Sequence, residues 1–220
     1  MLPTPMTPLG MFVLSFTVGF SGAMSPGPLT VLTVSETARR GMSAPFLIML
    51  GHALLELAAT TLLAMGLLAA LNSPRLIGVV GLAGGAAMFL LGAVMLRDAL
   101  KGPIKLGPRK TASAAGSLRM VGVGIATSLS NPYWTVWWVT VAAGLLVTAA
   151  KSGLATLAAF YAGHILSDLS YYVALGLAVT WGRRFVGGRI YRAVMAFLAV
   201  AMAVFGVLFA LKGWSSLNLR

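Results

Sequence analysis

Residues 18–30 read Val-Gly-Phe-Ser-Gly-Ala-Met-Ser-Pro-Gly-Pro-Leu-Thr, which places Ser25-Pro26-Gly27-Pro28 inside an apolar run from 9 to 36. A proline lacks the helix N–H and its ring crowds the carbonyl four residues back, so this motif stops an α-helix. Freed carbonyls in lipid are costly, and irregular backbone survives at that depth only where it is buried or lines a wet cavity. The run is therefore read as one broken membrane helix.

Outward from it the pattern repeats. Five more apolar runs, 44–71, 76–96, 120–149, 153–181 and 193–212, are separated by charged gaps. Each approaches or exceeds the roughly 20 residues a helix needs to cross a bilayer. With 59% hydrophobic and 9% charged residues and a mean hydropathy of +0.93, the 220-residue chain could not clothe a water-soluble surface. An integral membrane protein of six helices, all α, is expected, in contact with membrane lipid. The first basic residue is Arg39, so the positively charged start of a cleavable signal is missing and the first run reads as a permanent helix.

The net charge of +12 marks topology rather than a nucleic-acid partner, which is excluded. Of the 16 Lys and Arg, 12 lie in the gaps after the first, third and fifth runs. The positive-inside rule then puts both termini outside and the 97–119 stretch in the cytoplasm, for a multi-pass protein of the cell inner (plasma) membrane. There is no cysteine, which removes disulfides, thiolate metal sites and cysteine nucleophiles.

The halves are weakly similar. Val18-Gly19, Ser25 and Thr30-Val31 match Val123-Gly124, Ser130 and Thr135-Val136. Gly41 and Gly51-His52 through Glu56-Leu57 match Gly153 and Gly163-His164 through Asp168-Leu169, and Met88 and Gly92 match Met202 and Gly206. Three spans per copy is an odd number, so the second copy enters the membrane from the other side. The expected fold is two inverted three-helix repeats, 1–100 and 120–220, joined by a cytoplasmic loop at 101–119, an architecture typical of transporters.

The second break, Ser130-Asn131-Pro132, lies where the repeat puts it. Paired breaks mark a transporter's binding site, where helix N-termini suit a carboxylate and helix C-termini an ammonium group. Ser25, Pro26, Gly27, Pro28, Thr30, Ser130, Asn131, Pro132, Tyr133 and Trp134 are the expected substrate-binding set. Trp134, Trp137 and Trp138 either line that cavity or anchor the helix at the interface.

Glu56 and Asp168 lie deep in apolar spans, where an acid is a functional hypothesis by default. Each follows a histidine by four residues, so His52–Glu56 and His164–Asp168 each share a helix face. Glu56 is expected to carry protons or to pair with a substrate amine, with Asp168 as its counterpart and both histidines beside them. Glu36 and Asp98, next to arginines, read as solvated. Gly78, Gly81, Gly85 and Gly92 suit close helix packing, within one chain or in a homodimer.

At these residues the chain resembles the lysine exporter (LysE/RhtB) family of amino-acid efflux proteins. The resemblance rests on Ser25-Pro26-Gly27-Pro28, Arg39-Arg40-Gly41, Gly51-His52 through Glu56, and Asn131-Pro132. It implies export of amino acids or related small metabolites from the cytoplasm in exchange for protons, with Glu56 at the position of an acid important in the lysine branch. Two features depart from the family. Tyr133 follows the Asn-Pro where a lysine is frequent, and the role of Asp168 rests on the internal repeat alone.

A secondary exporter (antiporter) is thus the leading reading, with no cofactor, no resident metal and no enzymatic activity. No nucleotide-binding loop is present. One alternative is a divalent metal cation transporter that uses both His-x-x-x-acid pairs, which requires the four side chains to converge. An intramembrane enzyme is the other, but no hydrolase signature appears.

Overall fold

Proline and glycine set the helix ends. The computed structural model describes residues 6–25, 27–67, 74–100, 114–182 and 188–218. Pro26, most of the expected cytoplasmic loop and the Asp98 side chain lie outside the described residues. Helix α1 (Pro8–Ala23) opens on Thr7, whose hydroxyl accepts from the Gly10 N–H, with proline at its first turn. It ends before the Ser-Pro-Gly-Pro motif, and α2 (Pro28–Arg40) starts on Pro28 at an angle of 80° to it.

Gly41 then turns the chain at φ 77°, in the left-handed region that side chains disfavour, and α3 (Ser43–Leu62) follows. One π-helical stretch, Leu63–Leu67, extends α3. Helix α4 (Pro74–Leu100) closes the first half. In the second half α5 (Ala114–Leu129) stops at Ser130-Asn131, and Asn131 caps α6 (Pro132–Trp137) by accepting from the Tyr133 N–H. A π-helical stretch, Trp138–Ala142, joins α6 to α7 (Ala143–Lys151). Gly153, at φ 100°, makes the turn into α8 (Leu154–Gly182), and α9 (Gly188–Asn218) ends the fold.

Among the described residues, four stretches are long and apolar enough to cross a membrane: Ser43–Met65, Pro132–Lys151, Leu154–Gly182 and Arg192–Leu217. The bent pair α1–α2 makes a fifth. Shorter apolar stretches, Gly81–Arg97 in α4 and α5 itself, complete the bundle. The expected single run 120–149 is thus split, because Pro132 cannot continue α5. The portion after the break is long enough to span by itself.

Packing is crosswise. α1 lies along α8, α3 along α5, and α4 along α9. Close approach depends on glycine. A Cβ on Gly85 would come within 2.6 Å of Gly206 O, and one on Gly206 within 2.6 Å of Phe89 N. The glycine face of α4 is therefore occupied by α9 of the same chain, and it offers no ground for a homodimer. Large apolar residues such as Leu90, Phe197 and Leu208 point outward, as lipid-facing positions do.

Candidate functional site

The crosswise packing brings α3 and α8 side by side, and with them the four ionisable groups. His52 and Glu56 are one helical turn apart on α3, as are His164 and Asp168 on α8. All four are buried. His52 Nε2 lies 3.0 Å from Glu56 Oε1 and 3.3 Å from Asp168 Oδ2. His164 Nε2 lies 3.1 Å from Glu56 Oε2 and 3.6 Å from Asp168 Oδ2. Each imidazole thus sits between both carboxylates, and the four groups close a ring. Sequence spacing places each pair on one face; only the helix packing makes them a quartet.

The ring is held from outside by the second half. Ser128 Oγ on α5 lies 2.9 Å from Gly124 O and 2.8 Å from His52 Nδ1, and when its one hydroxyl hydrogen goes to Gly124 O it accepts from His52. Trp134 and Trp138, four residues apart across the start of the π-helical stretch, both donate their indole N–H to Glu56 Oε1 at 3.1 Å. Trp137 stacks on His164 at 4.3 Å between ring centroids, with 10° between the planes. π-Helical turns are frequent at functional sites because the extra residue re-aims the side chains around it. The tryptophan cluster, left open between cavity and interface, lies against the ring, and Trp134 and Trp137 line the cavity itself.

A cleft opens above the ring, and both helix breaks line it. Ser25 and Gly27 contribute from the first break and Asn131, Tyr133 and Trp134 from the second, with His52, Glu56, His164 and Asp168 on the wall. It is narrow: about 40 Å³ is open to a water molecule, room for about three waters. A second, apolar cavity of about 260 Å³ between α3 and α8 is lined by His52 and Asp168 together with Phe46, Met49 and Leu50. His52 and Asp168 therefore line both cavities.

Not every expected residue faces the cleft. Pro28, Thr30 and Pro132 are buried behind it: Pro132 backs onto Gly84 of α4, and Thr30 Oγ1 approaches the Tyr172 hydroxyl at 3.5 Å. Ser130 is exposed and bonds to Thr127 O. Pro26 lies outside the described residues. Glu36, read as solvated, is paired with Arg39 and Arg40. Two residues near the ring escaped the sequence reading. Tyr172 is recoverable, since it lies four residues after Asp168 on the same face. Ser128 is not, because only the packing of α5 on α3 brings it to His52.

The family model "LysE type translocator" matches residues 20–213. The chain is similar to the "Chemotactic transduction protein ChpE" of Pseudomonas aeruginosa, 31% identical over 183 residues, which cover 80% of this chain and 85% of the relative. No solved structure matches the chain.

Proposed function

We propose, from the premise that this chain belongs to the LysE type translocator family, that it exports amino acids or related small amino compounds by a secondary, gradient-driven mechanism. Membership makes it a multi-pass membrane protein of a small-molecule transporter family. The cargo, the driving ion and the site are the proposal. One observation carries it: both helix breaks and the buried His/acid ring line a single cleft. Broken backbone offers N–H and carbonyl groups to a zwitterion, and the carboxylates of Glu56 and Asp168 suit its ammonium end. Asn131, Ser25 and Gly27 would hold the carboxylate end.

The inverted-repeat architecture belongs to the same reading, with repeats 1–100 and 120–220 and the loop 101–119 on the cytoplasmic face of the inner membrane. Support comes from the contact between α4 and α9. A Cβ on Gly92 would meet Ala199 and Ala203, and one on Gly206 would meet Gly85 and Phe89. At the offset that pairs Gly92 with Gly206, Gly85 pairs with Ala199 and Phe89 with Ala203. The matched residues exchange roles, as they do across a two-fold axis. The positive-φ glycines, Gly41 and Gly153, are likewise a matched pair.

The cleft is too small for an amino acid as it stands, so export requires α1–α2 or α5–α7 to move against the paired α3 and α8. The sequence holds no nucleotide-binding loop, and we assign the driving gradient to protons. Efflux of a panel of labelled amino acids from proteoliposomes, with and without a proton gradient, tests this. Gradient-dependent efflux of one class, lost in Glu56→Gln, is expected. No efflux of any amino acid from correctly inserted protein would overturn the reading.

A further inference from the structure

We infer that the ring of His52, Glu56, His164 and Asp168 binds a divalent cation of the zinc class. The inference goes beyond amino-acid export and stands whether or not the chain carries amino acids.

The first argument is the spacing of donor atoms. A four-coordinate ion with bonds of about 2.0 Å to imidazole nitrogen and carboxylate oxygen holds its ligand atoms about 3.3 Å apart. His52 Nε2 lies 3.0 Å from Glu56 Oε1 and 3.3 Å from Asp168 Oδ2, and His164 Nε2 lies 3.1 Å from Glu56 Oε2 and 3.6 Å from Asp168 Oδ2, so His52, Glu56 and Asp168 form the tighter set and His164 closes on it through the second oxygen of Glu56. Ligand atoms of His52, Glu56 and Asp168 all lie within 4.8 Å of one another. All four residues belong to long helices, so the set is preorganised.

The second argument is the orientation of lone pairs. With the Ser128 hydroxyl hydrogen on Gly124 O, Nδ1 of His52 is the donor of their bond. In the neutral tautomer this leaves, the Nε2 lone pair faces the oxygens of Glu56 and Asp168. Oε1 of Glu56 already accepts from two indoles, which can only donate. A cation between these atoms, whether a proton on each imidazole or one shared metal ion, makes the arrangement attractive. Metal-bound histidines characteristically donate their second nitrogen to such an outer partner, and ligating carboxylates are themselves hydrogen-bonded.

The third argument is an orphaned atom. Glu56 Oε2 is buried and lies 3.1 Å from His164 Nε2, but off the direction of a hydrogen bond, and it has no hydrogen-bond partner among the described residues. Oε1 takes both indoles and also lies 3.2 Å from His164 Nε2, so Oε2 is the oxygen with capacity to spare, and the ion would draw it in beside His52 and Asp168. Two carboxylates also balance the charge of a divalent cation, so the loaded ring is neutral where an isolated charge is expensive. Two imidazoles and two carboxylates without a thiolate suit Zn²⁺ or Co²⁺ and disfavour the soft Cu⁺.

The test is a titration of tag-free, chelator-stripped protein in detergent with Co²⁺. One equivalent is expected to give the intense visible bands of four-coordinate Co²⁺, and Zn²⁺ to bleach them. Ser128→Ala, which leaves every ligand in place, should weaken Co²⁺ binding about 10- to 100-fold at unchanged stoichiometry. A spectrum no stronger than hydrated Co²⁺, with no metal retained after desalting, overturns the inference. The parent protein decides that result, so a variant that fails to fold does not obscure it. Co²⁺ binding without amino-acid efflux would remove the exporter reading and keep the site; efflux without Co²⁺ binding would do the reverse.

Discussion

The two His-x-x-x-acid turns have the same spacing and equivalent positions on α3 and α8, yet they live in different surroundings. His52 Nδ1 is held by Ser128, whereas His164 Nδ1 is buried with no hydrogen-bond partner among the described residues and lies under the face of Trp137. Glu56 collects two indole donors; Asp168 touches only the two imidazoles among the contacts described. At the offset that pairs Gly19 with Gly124, Ser128 falls opposite Ala23, Trp134 opposite Leu29 and Trp138 opposite Thr33. The second half thus supplies polar partners where the first supplies a methyl, an isobutyl and a hydroxyl. The shared His-x-x-x-acid spacing and the packing of α3 on α8 explain where the four groups meet. Unmatched neighbours decide what each of them does.

The largest effect should come from the packing that both turns share. A Cβ on Gly51 would overlap the Val121 carbonyl, and one on Gly163 the Phe12 carbonyl, both of them backbone atoms that cannot yield. Gly51→Val and Gly163→Val should each cost about 3 kcal/mol or more and leave little monodisperse protein in detergent. If one variant kept the parental Tm, the two packings would not be equivalent.

The second effect separates the acids. Glu56→Gln neutralises the group that meets Trp134, Trp138, His52 and His164 and should lower efflux about 100-fold, in line with about 3 kcal/mol for breaking a buried charged network. Asp168→Asn, with fewer partners, should lower it about 10-fold. Equal losses in the same proteoliposome assay would erase the distinction between the halves.

Smaller effects concern the neighbours. Ser128→Ala leaves His52 Nδ1 without its acceptor and should lower unfolding stability by about 1–2 kcal/mol. Thermal unfolding monitored by circular dichroism would show it, and an unchanged Tm would mean the bond carries nothing. Trp137→Leu removes the ring stacked on His164 and should cost about 1 kcal/mol in the same measurement. A larger loss than Ser128→Ala would make stacking, rather than hydrogen bonding, the stronger constraint on the histidines.

Both helix breaks follow from residues in view. Pro28 and Pro132 each open a new helix at its first turn, because a proline there gives up an N–H that has no partner anyway. The positive-φ turns at Gly41 and Gly153 are legible too, since only glycine takes that backbone without strain. The membrane class needed only hydropathy. Less could be read of the site. Ser25, Gly27, Asn131, Tyr133 and Trp134 share one cleft, while Ser130, adjacent in sequence to Asn131, points away from it. Helical rotation about the break decides that, and a run of polar residues carries no record of rotation.

The amino-acid sequence by itself determined that this is a membrane bundle, where its helices stop, and that each of two helices carries a histidine and an acid on one face. These are consequences of local chemistry: transfer to lipid, the missing N–H of proline, and a turn of about 3.6 residues. Tertiary structure alone decided that the two faces meet, and that Ser128 and the indoles of Trp134 and Trp138 bind the ring. It also decided that the glycines of α4 are spent on α9. Contacts between distant segments depend on crossing angles and offsets set by the whole packed bundle, which no stretch of twenty residues contains.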